Sequence, residues 1–142
     1  MRKTLHAALV ATMLLASWAS AGGGPTEPAF LYRATVVKVV DGDTIDVDID
    51  LGFYIWAKNQ RIRLVGIDAP EPRGESRVEG KAATAFLKEL IEGKSIILRT
   101  FKGRDGADER GSFRRWLGVI YLEGKDINQA MINAGHAVRI DE

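Results

Sequence analysis

The chain has 142 residues, 46% hydrophobic and 27% charged, a net charge of +1 and no cysteine. That is enough for one modest core and not for two domains. It excludes a disulfide framework, a thiolate zinc site and a thiol nucleophile, and it is not the balance of a protein that coats nucleic acid through net positive charge.

The first 21 residues stand apart from that core. Arg2 and Lys3 form a short positive start, Leu5 to Trp18 an apolar stretch, and Ala19-Ser20-Ala21 a small-residue cleavage signal. The pattern predicts a secretory signal peptide over residues 1–21, cleaved after Ala21, and a secreted or periplasmic product. The stretch is short for a membrane span, and Ser, Thr and His interrupt it. Arg2 and Lys3 leave with it and no acid does, which takes the net charge from +1 to −1. Any nucleic-acid contact must then come from a local cluster of cations. Gly22-Gly23-Gly24-Pro25-Thr26-Glu27-Pro28 reads as a flexible linker within residues 22–30, and residues 31–142 form the folded domain.

Arg33 to Val40 is rich in β-branched residues and reads as a first strand. Asp41-Gly42-Asp43-Thr44 is a hairpin turn. Ile45 to Leu51 alternates apolar and acidic residues, which predicts a second strand with Asp46, Asp48 and Asp50 on a solvated face. Residues 52–59 make a wide loop and Gln60 to Ile67 a third strand, stopped by Pro70 and Pro72. From Ser76 the period lengthens. Val78, Ala82, Ala83, Phe86, Leu87, Leu90 and Ile91 fit a helix over about 77–92, ended by Gly93. Ser95 to Phe101 is a fourth strand, Lys102 to Ser112 a Gly-rich polar loop, and Arg115 to Leu122 a fifth strand. Asp126 is placed as an N-cap with Gln129 in capping-box position. It opens a short helix (Ile127, Ala130, Met131, Ala134), and a last short strand or tail covers 137–140. The order suits a mainly β fold with helices. It predicts a five-stranded OB-fold barrel, with one helix between strands 3 and 4 and a short helix after strand 5. An α+β sheet with helices on one face is the alternative.

Three acids have special placement: Asp43, Asp68 and Glu71, each beside a chain reversal. Two aspartates from neighbouring strand ends, completed by a backbone carbonyl and water, suit a hard divalent cation with open positions. Glu71 is placed to orient or deprotonate an attacking water. Arg63 and an arginine of the Phe113-Arg114-Arg115-Trp116 segment suit bidentate grip of a phosphate. Strict alternation sets Arg63 and Asp68 on opposite faces. They converge only if the strand bends or bulges near Gly66-Ile67.

Val40-Asp41-Gly42-Asp43-Thr44, Arg61 to Glu71, and Arg114 to Tyr121 together resemble, in order, the staphylococcal-nuclease-like (thermonuclease) family. Gly124 to Ala130 and Gly135-His136-Ala137 extend the resemblance over about residues 34–140. It implies a calcium-dependent phosphodiesterase on an OB-fold, an endonuclease cleaving DNA and RNA with little sequence preference. Asp43, Asp68 and the Ala69 carbonyl would hold Ca2+, Glu71 would be the general base, and Arg63 and Arg115 would bind the phosphate. Asp41 and Thr44 would support the turn behind the ion. Arg114 stands where a small Gly is common and is a candidate second phosphate contact. Asp141 takes a position where family members carry a stacking tyrosine. Trp116 is a candidate for stacking on a base, and Lys102, Arg104 and Arg110 for a steering wall. Lone His136 is expected to have a surface or packing role. The expected partners are DNA and RNA, preferably single-stranded or locally unpaired. The domain is expected to be a monomer without stable membrane association once the signal is removed. The competing reading is a non-catalytic OB-fold that binds nucleic acid.

Overall fold

The computed structural model describes residues 25, 28–101 and 115–141. The expected signal peptide (1–21), most of the linker (22–30), the loop from Lys102 to Ser112 and Arg114 lie outside the described residues.

Among the described residues, eight strands and two helices follow in the order β1 (Leu31–Asp41), β2 (Thr44–Asp50), β3 (Trp56–Leu64), β4 (Ile67–Asp68), α1 (Arg77–Ile91), β5 (Ser95–Thr100), β6 (Trp116–Leu122), β7 (Lys125–Asp126), α2 (Ile127–Asn133) and β8 (Val138–Arg139). A 3-10 turn, Gly74–Ser76, leads into α1. The main sheet runs β3-β2-β1-β5-β6-β7. It closes on itself where β3 pairs in parallel with β6, Arg63 opposite Leu117. β1, β2, β3, β5 and β6 are thus the five barrel strands, with α1 between the third and fourth and α2 after the fifth. That is the mainly β OB-fold architecture expected from the sequence. Closure removes the unpaired edges that an open five-stranded sheet would expose.

The core fills the barrel. Val36, Ile45, Val47, Ile62, Leu64, Leu98 and Ile120 point inward, and Leu87, Ile91 and Met131 close it from the helices, all fully buried. Burying each such aliphatic side chain stabilises the fold by about 1.5–3 kcal/mol.

Four local readings need correction. The third strand starts earlier than expected, at Trp56, and stops at Leu64. The loop before it is correspondingly short, framed by Leu51 N–H to Ile55 O (2.9 Å) and Ile55 N–H to Gly52 O (2.8 Å). Asp46 is not solvated. It is 6% exposed, because Arg61 across the ladder covers it with two hydrogen bonds, at 2.8 and 3.0 Å. Along α1 the buried line is Gly80, Ala83, Leu87 and Ile91. Val78 and Ala82 face solvent, since at about 100° per residue they fall on the far side and flank of that line. Asp126 caps α2 as expected, accepting from Gln129 N–H at 2.9 Å. The Gln129 side chain does not return to the cap; it donates to Asn133 (2.8 Å) and accepts from Arg139.

Candidate metal and phosphate site

The turn between β1 and β2 contains only Gly42 and Asp43, with Asp41 paired to Thr44. It is drawn tightly against the chain beyond β4. A Cβ on Gly42 would lie 2.6 Å from the Ala69 Cβ and 2.9 Å from the Ala83 Cβ, so only glycine permits this approach. The approach lets Asp43 Oδ2 accept the Ala69 N–H at 2.9 Å. Asp43 Oδ1 accepts the Thr44 hydroxyl at 3.0 Å, and the Asp43 N–H donates to Asp41 Oδ1 at 3.1 Å. Asp43 is 7% exposed. A carboxylate buried that deeply costs several kcal/mol unless it is paired and hydrogen-bonded.

Arg63 supplies the pairing. Its Nη1 forms an ion pair with Asp43 Oδ2, and its Nη2 bonds Asp68 Oδ1 at 2.9 Å. One guanidinium therefore brings together the two carboxylates expected to hold a metal. The distortion needed between them is present. β3 ends at Leu64, Val65 and Gly66 turn, Gly66 has φ +74, and β4 resumes at Ile67. A left-handed φ is open to glycine at no steric cost. β8 fixes the far side, with Asp68 opposite Val138 and the Ile140 N–H on Gly66 O at 3.1 Å. Burial works against the Arg63 charge, but Asp43 first and Asp68 second outweigh it and raise its pKa above the ordinary arginine value. Burial, joined by the neighbouring charge of Asp43, likewise raises the Asp41 carboxyl above its ordinary 3.8.

Arg115 reaches the same cluster from the start of β6. Its Nη1 donates to Thr44 Oγ1 at 3.4 Å, so Arg115, Thr44, Asp43, Arg63 and Asp68 form one connected chain of contacts. A cleft of about 260 Å3 opens beside it, lined by Val40, Asp41, Thr44, Arg61 and Arg115. A second, of about 200 Å3, lies on the other side between Asp68-Ala69-Pro70 and residues 135–138. Glu71 is exposed; its backbone oxygen accepts from the Ser76 hydroxyl at 3.3 Å, and its carboxylate is not part of the Arg63 cluster. Trp116 lines neither cleft. Its indole N–H donates to Gln60 Oε1 at 3.4 Å, and it lines a separate cavity with Tyr32, Ile49 and Leu51. His136 packs on Phe86, ring centroids 4.6 Å apart.

The donor set fits a hard cation in an open site. Among the described residues no three or more carboxylate, imidazole or thiolate groups gather as a cage. Asp43 and Asp68 nevertheless flank one guanidinium, that of Arg63, and the Ala69 N–H is held by Asp43. Oxygen donors of this type, completed by carbonyl and water, are what Ca2+ accepts.

Reasoning from the sequence missed Asn128. It is 4% exposed, accepts the Ile120 N–H at 3.1 Å, and donates to Val65 O at 2.9 Å and Gly118 O at 3.1 Å. It thereby pins the turn that carries Asp68 back toward Arg63. The one available signal was its position three residues before Met131, on the same helix face, where a polar residue needs a partner.

The profile of the family described as Staphylococcal nuclease homologue matches residues 61–142. The chain belongs to this family. Its curated relatives include an "Uncharacterized endonuclease" of Escherichia coli O157:H7, 39% identical over 103 residues covering 72% of this chain and 57% of the relative. A "Thermonuclease" of Staphylococcus hyicus is 30% identical over 122 residues, 80% of this chain and 66% of the relative. "Endonuclease YncB" of Bacillus subtilis is 28% identical over 110 residues, 75% of this chain and 47% of the relative. The chain spans about half to two thirds of the length of these staphylococcal nuclease homologues. The family match begins at Arg61 and so takes in Arg63, Asp68, Glu71 and Arg115. The turn carrying Asp43 precedes it and joins the site through the ion pair with Arg63.

Proposed function

We propose that the protein is an exported, calcium-dependent endonuclease that hydrolyses phosphodiester bonds of DNA and RNA with little sequence preference. The observation that carries this reading is the Arg63 guanidinium spanning Asp43 and Asp68, beside the Arg115 cleft. The Asp43 and Asp68 carboxylates and the Ala69 carbonyl would hold Ca2+, which supplies Lewis-acid charge neutralisation. Arg63 and Arg115 grip the scissile phosphate and oppose the charge that grows on its oxygens. Glu71, on its exposed segment, orients or deprotonates the attacking water, and Asp41 and Thr44 keep the turn in place. Catalysis on this plan is positional and electrostatic, as for phosphoryl transfer in general. Its substrates are single-stranded or locally unpaired DNA and RNA. The protein acts as a monomer in the periplasm or medium.

The test is cleavage of labelled single-stranded DNA and RNA with calcium and with chelator. Cleavage that requires calcium is expected. Arg63→Ala, Arg115→Ala and Glu71→Gln should each lower kcat by about 100-fold or more, the usual cost of losing one such group. A folded domain with no calcium-dependent cleavage would sink the reading. Mass analysis of the exported product should find its first residue at Gly22.

A further inference from the structure

Arg61 stands where a second cation would meet a bound strand. Along β3, Ile62 and Leu64 are buried in the barrel, so Arg61 and Arg63 share the outer face, about 7 Å apart along the strand. Across the ladder Thr44 lies opposite Arg63 and Asp46 opposite Arg61. On its other side β3 pairs with β6, Ile62 opposite Trp116, and that parallel register sets Arg115 beside Arg61. The Arg115 Nη1 nevertheless reaches Thr44 Oγ1, on β2. Its side chain therefore crosses β3 on the face that carries Arg61 and Arg63, and three guanidinium groups gather on one short stretch of barrel wall. Arg61 and Arg115 line the same cleft, of about 260 Å3, with Asp41 as the acid among its lining residues.

Arg61 is held ready there. Asp46, 6% exposed, accepts its Nε at 2.8 Å and its Nη2 at 3.0 Å. A guanidinium carries five N–H donors in a rigid fork, so this grip leaves three, both of those on Nη1 included. The Arg61 side chain is 53% exposed, open to a ligand in the cleft. An ion pair at a strand surface contributes little stability by itself, but a fork fixed in advance lowers the ordering cost of binding an anion. The Lys58–Asp48 pair further along the same two strands is the contrast. It is a single contact of 2.9 Å between more exposed side chains, and neither lines the cleft.

We propose that Arg61 binds the phosphate next to the scissile one, with Asp46 as the residue that positions it, so that the site recognises two successive phosphates and not an isolated diester. The inference rests on the nuclease reading, since it takes Arg63 and Arg115 to hold the scissile phosphate. Cations two residues apart on one strand face suit the repeat of phosphates along an extended single strand, the kind of basic groove that tracks a backbone. A phosphate contact positions the strand and carries no base information, in keeping with little sequence preference.

Binding of labelled oligothymidylate is measured by fluorescence anisotropy over a range of salt concentrations, with calcium present and in protein carrying Glu71→Gln so that the strand stays intact. Adding R61Q should lower the slope of log K against log salt by about 0.7, the loss of one phosphate contact on a single strand. The double change D46N/R61Q leaves no uncompensated buried acid; it should lower the slope equally, with a melting temperature near that of the parent. K58Q should keep the parent slope. Oligouridylate and mixed sequences should show the same pattern. With Glu71 restored, R61Q should lower kcat/KM on an oligonucleotide about tenfold more than on a dinucleoside monophosphate, which has a single phosphate. Three results would each overturn the inference: a parent slope in D46N/R61Q; an equal fall of slope in K58Q; or equal losses on the two substrates, as a purely structural β2–β3 pair would give. Failure of the nuclease reading would show separately, as wild-type protein that cleaves neither substrate, because the slopes are read on uncut strands.

Discussion

Asn128→Ala tests whether a residue that never touches substrate sets the geometry of the site. The wild-type side chain makes three buried hydrogen bonds, to Ile120 N–H, Val65 O and Gly118 O. Alanine removes all three. Gly118 O keeps another donor, the Val65 N–H at 3.0 Å, whereas the Ile120 N–H loses its acceptor inside the barrel wall. An orphaned buried donor costs about 1–3 kcal/mol and the other lost bonds about 1 more, a total of about 2–4 kcal/mol. At about 4–8 °C per kcal/mol for a domain of this size, the melting temperature should fall by about 8–32 °C. Asn128→Asp keeps the acceptor for Ile120 but turns a carboxylate toward two carbonyl oxygens. Burial and those oxygens raise its pKa, so this variant should be at least as unstable as the alanine at pH 7 and recover as pH falls. Circular dichroism melts at several pH values measure both effects. A shift in Asn128→Ala of less than about 2 °C, or wild-type stability of Asn128→Asp at pH 7, would refute the reasoning.

Gly42→Ala should push the β1–β2 turn off Ala69 and Ala83, given contacts of 2.6 and 2.9 Å for the added carbon. A loss of about 1–3 kcal/mol and at least tenfold in kcat is expected, and the double variant G42A/A69G should recover part of both. Glu92 accepts the Val39 N–H at 2.9 Å. That bond first, then Lys88, holds its carboxyl below the ordinary 4.5. Its contribution is therefore complete above pH 4.5 and lost as pH falls through the lower folded value. The stability gap between wild type and Glu92→Gln should be constant near neutrality and close on acidification; a gap that persists in acid would contradict this. Asp126→Ala removes the α2 cap and should cost about 1 kcal/mol, read as a small drop in melting temperature.

The barrel was legible because its strands are amphipathic over a hairpin signal that is purely local: Asp-Gly between β-branched runs needs no knowledge of the rest of the chain. The start of β3 was not. Lys58-Asn59-Gln60 looks like loop, and Asn59, at φ 52, adds a residue that shifts the β2–β3 register between Val47 and Ile49. Only pairing with β2, which is non-local, holds that segment extended. Burial of Asp46 was hidden for the same reason, since an acid on a strand reads as solvated until its cross-strand arginine is known. The site divides along similar lines. Asp43, Asp68 and Arg63 are conspicuous because charges beside chain reversals are costly in a core. The need for a bend between the latter two followed from parity alone, and the Val65–Gly66 turn provides it. Asn128 was illegible because an asparagine in a helix looks unremarkable until the strands it bridges are placed.

The parallel seam between β3 and β6 sets an order on assembly. Asp43, Arg63 and Asp68 all lie in the first half of the chain. The strand that closes the barrel beside Arg63 begins at Trp116, Asn128 follows, and the strand facing Asp68 begins at Val138. Contacts this distant in sequence form late and slowly. A chain emerging amino end first carries the acidic residues through the second half of its synthesis without the barrel that aligns them. Latency during translation is thus written into the topology: the last few dozen residues complete the site, and a nascent fragment has the charges but no means to use them.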